Sequence, residues 1–288
     1  MHNLRSSNVI QKRLGLGCDR LGSVLGIDGP DAARLVEAAF ERGIRFFDTS
    51  NIYGQGESER ILGHALRHHG TPVTIVTKAG HNFSTWTRFA EPFKRALAPW
   101  IRGSDAGRSL VSRTRLKTLR QNFSHSSLQS SAEASLRRLN RDHIDILLLH
   151  SPPSDVIAQG DAMLSLERIR HSGKAAKIGI SCNDVQSGLV ALKDARVEVI
   201  ELPLWPLTEL SHQFLNAAEH QRVFVIARGL LSAALRSDGG DRRATIRAAL
   251  ISSLALTGIS RLIVGTTRIE HLRQVSEILR DAEEHACT

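Results

Sequence analysis

Four side chains that can exchange protons stand at, or shortly after, the ends of short apolar runs in this sequence. Asp48 directly follows one run and Tyr53 comes five residues later, while Lys78 and His150 each end a further run. A carboxylate, a phenol, an ammonium and an imidazole are groups that general acid–base catalysis uses. Each one alone is more often structural, as an aspartate that caps a turn or a lysine that faces solvent. Together they predict a proton-transfer site, on the condition that their strands end at the same edge of a sheet.

The apolar runs have the length and composition of parallel strands that are buried on both faces. Each predicted strand is followed by a segment with apolar residues at helical spacing, and this alternation indicates a parallel sheet. The predicted strands lie near residues 14–18, 44–48, 73–78, 144–149, 173–183, 199–207, 223–229 and 261–267.

Eight strand–helix units in fewer than 300 residues predict a closed (β/α)8 barrel of the α/β class, that is, a TIM barrel with a parallel eight-stranded sheet. An open, doubly wound sheet is the alternative. It would need a better phosphate-binding fingerprint than GLGCDRLG at residues 15–22, where the third glycine, Gly22, comes too late. We expect one domain over residues 1–288, with a long basic insertion at about 80–125 after the third strand.

Two stretches resemble signatures of the aldo-keto reductase family. In residues 46–67 (FFDTSNIYGQGESERILGHALR) the matching positions are Asp48, Thr49, Tyr53, Gly54, Gly56, Ser58, Glu59 and Gly63. Residues 134–153 (ASLRRLNRDHIDILLLHSPP) resemble the helix and strand that end in the histidine of that family. So many matches at fixed spacing are far more specific than a single glycine-rich loop, and the resemblance covers nearly the whole chain outside residues 80–125.

The resemblance implies a catalytic tetrad and an oxidoreductase that transfers a hydride between NADPH and a carbonyl substrate, which would be an aldehyde, a ketone or a sugar. Tyr53 would be the general acid and base, and the Lys78 ammonium would lower the pKa of its phenol. Asp48 would hold Lys78 charged and in place. His150 would orient the substrate and donate a hydrogen bond to the carbonyl oxygen.

The resemblance also implies a nicotinamide dinucleotide that lies extended across the barrel mouth, with NADPH preferred and NADH as the alternative. Two positions depart from the family pattern: Cys182 replaces the usual asparagine, and Glu201 replaces the usual glutamine. The expected cofactor-binding residues are Ser181, Asn183, Glu201, Arg228, Gly265, Thr266 and Arg268. Arg268 is the candidate ligand for the 2′-phosphate of NADPH, and the last helix offers backbone N–H groups to a phosphate.

The composition of the chain argues against several other classes of protein. The three cysteines lie far apart and form no metal-ligand spacing, so we expect no metal site. The absence of an apolar signal-peptide region or a membrane-length apolar run predicts a cytoplasmic protein without membrane contact. The net charge is +9, but residues 82–125 hold nine basic and two acidic side chains, so +7 of it belongs to this one segment. This distribution argues against a nucleic-acid-binding fold.

The segment 80–125 leaves several interpretations open. Phe89, Phe93, Leu97 and Trp100 are spaced for a short helix, which a basic stretch to Arg120 would follow. The whole could be a lid over the site, a solvated loop or a partner surface. Two functional alternatives accompany the enzyme: a nucleotide-sensing interaction module on the same fold, and a nucleic-acid binder that uses this segment.

Overall fold

The barrel predicted from the sequence is present: eight parallel strands close into one sheet in a computed structural model, which describes residues 13–83, 119–231 and 241–286. The eight strands lie around the barrel in the order in which they occur in the chain, and the last strand closes the sheet on the first. The strands are β1 (Leu14–Gly17), β2 (Phe46–Asp48), β3 (Thr74–Ala79), β6 (Ile144–His150), β7 (Ala175–Ser181), β8 (Val199–Pro203), β9 (Phe224–Arg228) and β10 (Arg261–Gly265).

The helices lie outside the barrel, and their apolar faces form one large buried cluster with the outward side chains of the strands. Within the described residues they are α1 (Gly29–Glu41), α2 (Glu57–Leu66), α3 (His125–Leu139), α4 (Ser154–Gln159), α5 (Asp161–His171), α6 (Val185–Ala191), α7 (Glu209–His220), α8 (Arg242–Ala255) and α9 (Ile269–Ala286). No described helix is both long enough and apolar enough to cross a membrane.

A second, smaller apolar cluster fills the barrel interior. It consists of Phe46, Val76, Ile146, Leu148, Val199, Ile226 and Ile263, with Phe224 packed against it. Because side chains alternate along a strand, the position two residues after an interior apolar residue also points inward. In this way Phe46 is followed by Asp48, Val76 by Lys78, and Leu148 by His150. The apolar cluster in the barrel interior is therefore followed by a polar layer at the carboxyl ends of the strands. This is the face that carries active sites in this fold.

The segment after β3 begins and ends in a short hairpin that the sequence did not predict. Strand β4 (His81–Phe83) pairs antiparallel with β5 (Leu119–Gln121), and the amide of Asn122 donates to the carbonyl of Gly80. This pairing brings the two ends of the expected insertion together at the mouth of the barrel. The helix predicted over Phe89 to Trp100 and most of the basic stretch lie outside the described residues.

Candidate active site

Tyr53 begins a tight 3-10 turn, Tyr53–Gly56, between β2 and α2. Gly54 and Gly56 have φ values of 55° and 91°, a left-handed backbone that glycine adopts without strain. A Cβ atom on Gly54 would also lie 2.7 Å from the carbonyl oxygen of Gly22. The two glycines of the signature therefore allow the turn to close against the loop after β1, with Tyr53 at the mouth.

The other polar residues of the signature attach α2 to the barrel wall. Oγ1 of Thr49 and Oγ of Ser58 are 2.7 Å apart, and the Ser58 hydroxyl donates to the carbonyl of Cys18 at 2.9 Å. The Glu59 carboxylate accepts from Oγ1 of Thr77 and pairs with Nε of Arg138 at 2.6 Å. These residues do not face the proton-exchanging cluster, so their contribution is to hold the Tyr53 turn in place.

Lys78 is buried at the centre of the predicted tetrad. Its ammonium group donates to Oδ1 of Asp48 and, at 3.1 Å, to the carbonyl of Thr49. Nζ also lies 5.4 Å from the centre of the Tyr53 ring. Asp48 and Lys78 are 4% and 1% exposed, so their charges interact in a medium that screens them far less than water does.

This environment sets the proton affinities of the cluster. Burial raises the pKa of Asp48, and the Glu201 carboxylate raises it further, while the Lys78 ammonium opposes both. Burial tends to lower the pKa of Lys78, but the carboxylates of Asp48 and Glu201 outweigh burial and raise it above its usual value. For Tyr53, removal from water raises the pKa, and Lys78 lowers it only in part. Lys78 thus lowers the pKa of Tyr53 as expected, but burial and the nearby carboxylates outweigh this effect in the protein alone.

His150 faces Tyr53 across the mouth. The two rings meet edge to face, with centroids 5.9 Å apart and planes at 88°. Nδ1 of His150 lies 2.9 Å from Oγ of Ser50, and the ring of His81 packs on its other side at 4.8 Å. The structure thus brings all four predicted catalytic residues together, and it adds Ser50 and His81, which the sequence analysis missed. Each lies two residues after the end of a barrel strand, and this position was the available signal.

Strands β8 and β9 carry a carboxylate and a guanidinium, Glu201 and Arg228, in the same polar layer as the tetrad. Strand register places Ser181 beside both His150 and Glu201, and the Ser181 hydroxyl donates to Oε1 of Glu201 at 3.2 Å. Nε of Arg228 is 3.2 Å from the same oxygen. Nη2 of Arg228 donates to the carbonyl of Cys182 at 2.9 Å. Glu201 is completely buried and Oε2 lies 3.2 Å from Nζ of Lys78, so it belongs to the tetrad cluster as well as to the expected cofactor site.

A cavity of about 450 Å³ opens beside Asp48 and Tyr53. Of the expected cofactor residues, Arg228, Gly265 and Thr266 line it. Ser181, Asn183, Glu201 and Arg268 are not part of its wall, and Asn183 is exposed. Thr267, which precedes the last helix together with Gly265 and Thr266, lines it too. Further lining residues, which the sequence analysis missed, are Gly17, Asp19, Arg20, Gly229, Leu230, Leu231, Ile263 and His271. Most of them follow the ends of β1, β9 and β10, where the barrel directs every loop to the same mouth.

The wall of this cavity ends at the start of α9. The amide of Arg268 donates to Oγ1 of Thr266 at 3.1 Å, which fixes the turn that leads into the helix. Oγ1 of Thr266 also lies 3.5 Å from Nδ1 of His271. Arg268 is exposed at the edge of the cavity. In the part of the chain that the structure describes, no group of three His, Cys, Asp or Glu side chains is arranged to hold a metal ion.

Comparisons with known proteins show which sequences and which folds this chain resembles. The aldo-keto reductase AMT2 of Alternaria alternata is 34% identical over 164 residues, which cover 52% of this chain and 41% of that protein. The chain spans about half the length of the curated relatives it matches. Among solved structures, the holo form of aldo-keto reductase AKR11C1 from Bacillus halodurans superposes with a TM-score of 0.71. That match has 21% identity and covers 93% of this chain and 86% of the other.

An aldo/keto reductase from Klebsiella pneumoniae, solved in complex with NADP and acetate, has the same fold. Its TM-score is 0.62 at 19% identity, over 93% of this chain and 85% of the other. The family model described as "Aldo/keto reductase family" matches residues 13–249, which include every strand of the barrel except β10. This protein therefore belongs to the aldo/keto reductase family.

Proposed function

We propose that the protein is an oxidoreductase that transfers a hydride between NADPH and the carbonyl carbon of a small aldehyde, ketone or sugar. The observation that carries the proposal is the convergence of Asp48, Tyr53, Lys78 and His150 at one edge of a cavity. A buried lysine paired with a buried aspartate, beside a phenol and an imidazole, serves proton transfer better than it serves stability. Buried ion pairs of this kind stabilise a fold weakly or not at all.

Tyr53 is the proton donor in this proposal. Addition of a hydride to a carbonyl carbon leaves an alkoxide, which takes a proton from the Tyr53 hydroxyl. The phenolate that results is stabilised by the Lys78 ammonium, whose Nζ is 5.4 Å from the ring centre. Asp48 keeps that ammonium in place by accepting its hydrogen bond. General acid catalysis of this kind contributes about 10²–10⁴-fold to the rate.

His150 orients the carbonyl oxygen. For Nε2 to donate to that oxygen, Nδ1 must be the unprotonated nitrogen of the neutral ring. The Ser50 hydroxyl has two acceptors within reach, Nδ1 at 2.9 Å and Oδ1 of Asn51 at 3.2 Å, and it favours this tautomer when it donates to the nearer Nδ1. The edge-to-face contact with Tyr53 holds the imidazole next to the acid, so both groups can reach the same substrate oxygen.

The residues around the cavity fit a nicotinamide dinucleotide. When bound, this cofactor supplies the hydride that no side chain can supply. Gly265 leaves the cavity wall open, because a Cβ atom there would meet only Oδ1 of Asp19, at 3.9 Å. The start of α9 offers backbone N–H groups to a phosphate, and Arg268 and Arg20 add positive charge at the rim. Arg228 would lie beside the nicotinamide, where its planar guanidinium can stack. The NADP in the related Klebsiella structure supports this choice of cofactor.

The test is the variant Tyr53→Phe, assayed by the loss of NADPH absorbance with para-nitrobenzaldehyde and with xylose as probes. We expect the turnover number to fall by at least about 10²-fold, because the acid is removed. The Kd for NADPH, measured by fluorescence titration, should stay within about twofold of the wild-type value, since the phenol oxygen is not a cofactor ligand in this proposal. Wild-type turnover in the variant would refute Tyr53 as the acid.

A nucleotide-sensing interaction module is the second candidate. The observation that favours it is the replacement of two expected carboxamide contacts by Cys182 and Glu201. A wild-type protein that binds NADPH but reduces neither probe, nor a wider panel of aldehydes and ketones, would support this candidate over the enzyme.

A further inference from the structure

Lys78 contacts two carboxylates rather than one. Its Nζ donates to Asp48 and also lies 3.2 Å from Oε2 of Glu201. Oε2 of Glu201 is buried and has no well-aligned hydrogen bond among the described residues, so the Lys78 ammonium is the cation nearest to this oxygen. An ammonium has three donors, and here its nearest acceptors are two carboxylates and the Thr49 carbonyl. The positive charge of Lys78 is therefore shared.

Arg228 holds the second carboxylate from the opposite side. Nε of Arg228 is 3.2 Å from Oε1 of Glu201, and the same oxygen accepts from the Ser181 hydroxyl at 3.2 Å. A further bond from Arg228 to the Cys182 carbonyl fixes the direction of the guanidinium. Glu201 thus lies between two cations, one buried and one with a third of its side chain exposed to the cavity. The cluster therefore combines two carboxyl groups, Asp48 and Glu201, with two cations, Lys78 and Arg228, and the proximity of Glu201 adds to the rise that burial causes in the pKa of Asp48.

Several charged or titratable groups face Tyr53 from different elements. Lys78 on β3 favours the phenolate, whereas Asp48 on β2, Glu201 on β8 and Asp19 after β1 favour the protonated phenol. His150 on β6 contacts the ring by its edge, and Arg228 on β9 acts on Tyr53 mainly through Glu201. A carboxylate that shares the Lys78 charge leaves less of that charge to stabilise the phenolate.

We propose that Glu201, held by Arg228, is a positioning residue that shares Lys78 with Asp48 and thereby keeps Tyr53 a protonated acid up to higher pH. The inference rests on the proposed role of Tyr53 in catalysis. Carbonyl reduction needs the phenol, and alcohol oxidation needs the phenolate. Glu201 therefore raises the pH at which the enzyme changes from a form competent for reduction to a form competent for oxidation. The glutamine that the family pattern has here would lack this charge.

The chain allows a direct measurement, because Tyr53 is its only tyrosine. Phenolate formation can be followed by ultraviolet difference absorbance in the full chain without cofactor, with near-ultraviolet circular dichroism as the check that the fold persists. In Glu201→Gln we expect the Tyr53 midpoint to fall by about one pH unit or more. The wild-type protein can also unfold at alkaline pH before its phenolate forms. In that case, phenolate formation in folded Glu201→Gln supports the proposal in the same way as a lowered midpoint.

The matched control is Glu198→Gln, which removes a carboxylate immediately before β8. Glu198 pairs with Arg170 at 3.0 Å and accepts from the Ile178 amide, at the other end of the barrel. It changes the net charge equally, so its Tyr53 midpoint should match that of the wild type. Identical titration of Glu201→Gln and the wild type would overturn the proposal. So would an equal shift in the control, because the effect would then be one of overall charge.

The activity profile separates this proposal from the proposed function. With para-nitrobenzaldehyde and NADPH, the alkaline limb of kcat/KM in Glu201→Gln should move to lower pH by the same amount as the phenol titration. If Tyr53→Phe kept its activity, the proposed function would fail while the titration of Tyr53 still tested Glu201. If the titration shifted and the kcat/KM profile did not, the link from Glu201 to catalysis would be refuted.

The role of Arg228 is tested by stability. Arg228→Gln should lower the Tm by about 5 °C, because it removes one of the two cations that compensate a buried carboxylate. Adding Glu201→Gln to that variant should restore most of the loss, since no uncompensated charge then remains. Losses that simply add in the double variant would contradict the claim that Arg228 holds Glu201.

Discussion

Oγ of Ser50 lies 2.9 Å from Nδ1 of His150, so a residue of the loop after β2 sets the direction of an imidazole at the end of β6. Ser50 is completely buried, and it bears no resemblance to a catalytic residue in the sequence. Its hydroxyl can give His150 the tautomer in which Nε2 carries the proton.

We therefore predict that Ser50→Ala lowers kcat/KM for carbonyl reduction by about tenfold, which corresponds to one hydrogen bond of about 1.4 kcal/mol in the transition state. The Kd for NADPH should not change. Ser165→Ala is the control: it removes a buried hydroxyl that donates to the Asp161 carbonyl within α5, far from the mouth. An unchanged kcat/KM in Ser50→Ala would show that His150 needs no such partner.

Cofactor preference should depend on Arg268. We predict that NADPH binds about tenfold more tightly than NADH, because an exposed guanidinium at the start of α9 can pair with the extra phosphate. Arg268→Gln should remove the preference, and higher salt should weaken it. The measurement is a fluorescence titration with each cofactor.

Arg273→Gln is the matched control for that titration. Arg273 lies on the same helix but pairs with Glu270 at 2.7 Å, so its loss should leave the preference intact. If NADH bound as tightly as NADPH to the wild type, Arg268 would have no role in phosphate recognition, and a dehydrogenase that uses NADH would be the better description.

The two described cysteines should be unreactive in the folded protein. Burial raises the pKa of the Cys182 thiol to about 12, with a further contribution from Asp184. Burial, reinforced by Asp48, also raises the pKa of Cys18 well above its usual value. At pH 8 the thiolate fraction of Cys182 is then on the order of 10⁻⁴, against a substantial fraction for a free thiol.

In a Cys287→Ser background, we expect iodoacetamide at pH 8 to label Cys18 and Cys182 more than about a hundredfold more slowly than free cysteine. Both should react at once after unfolding in urea. Complete labelling of the native protein within the time that free cysteine needs would show that the mouth opens more than the structure indicates.

Gly63 should be necessary for the packing of α2 on α3. A Cβ atom there would lie 2.5 Å from the carbonyl oxygen of Leu139, which is the last residue of α3. We predict that Gly63→Ala lowers the free energy of unfolding by about 1–3 kcal/mol, despite the better helix propensity of alanine. Gly70→Ala, where nothing lies within 4 Å of the added atom, is the control and should be neutral or slightly stabilising.

Urea unfolding followed by circular dichroism measures both variants. Because α2 follows the Tyr53 turn and α3 leads to the strand of His150, Gly63→Ala should also reduce kcat/KM. A stable, fully active Gly63→Ala would show that the two helices can separate without any effect on the mouth.

The secondary structure and the barrel fold could be predicted from local sequence, because strand and helix formation depend mainly on neighbouring residues. Strand-forming apolar runs and helical periodicity depend on neighbouring residues, so the eight units and the barrel could be inferred. The residues at strand ends, including Asp48, Lys78 and His150, could be predicted to meet because parallel strands of a barrel end at one face. Cavity-lining positions such as Asp19 and His271 follow the same rule, but they belong to no signature and were missed.

The tertiary structure decided what the converging residues do to one another. Glu201 is a cofactor candidate in the sequence and a partner of Lys78 in the structure, because strand register sets which side chains share the interior layer. Burial, reinforced by the carboxylates of that layer, then raises the pKa of Tyr53, although Lys78 acts in the opposite direction. Sequence by itself determined which groups reach the mouth. Residues that are far apart in the chain lie 3 to 6 Å from one another in an interior that screens charge poorly. At these distances each group shifts the pKa of its neighbours, and only the fold sets the distances.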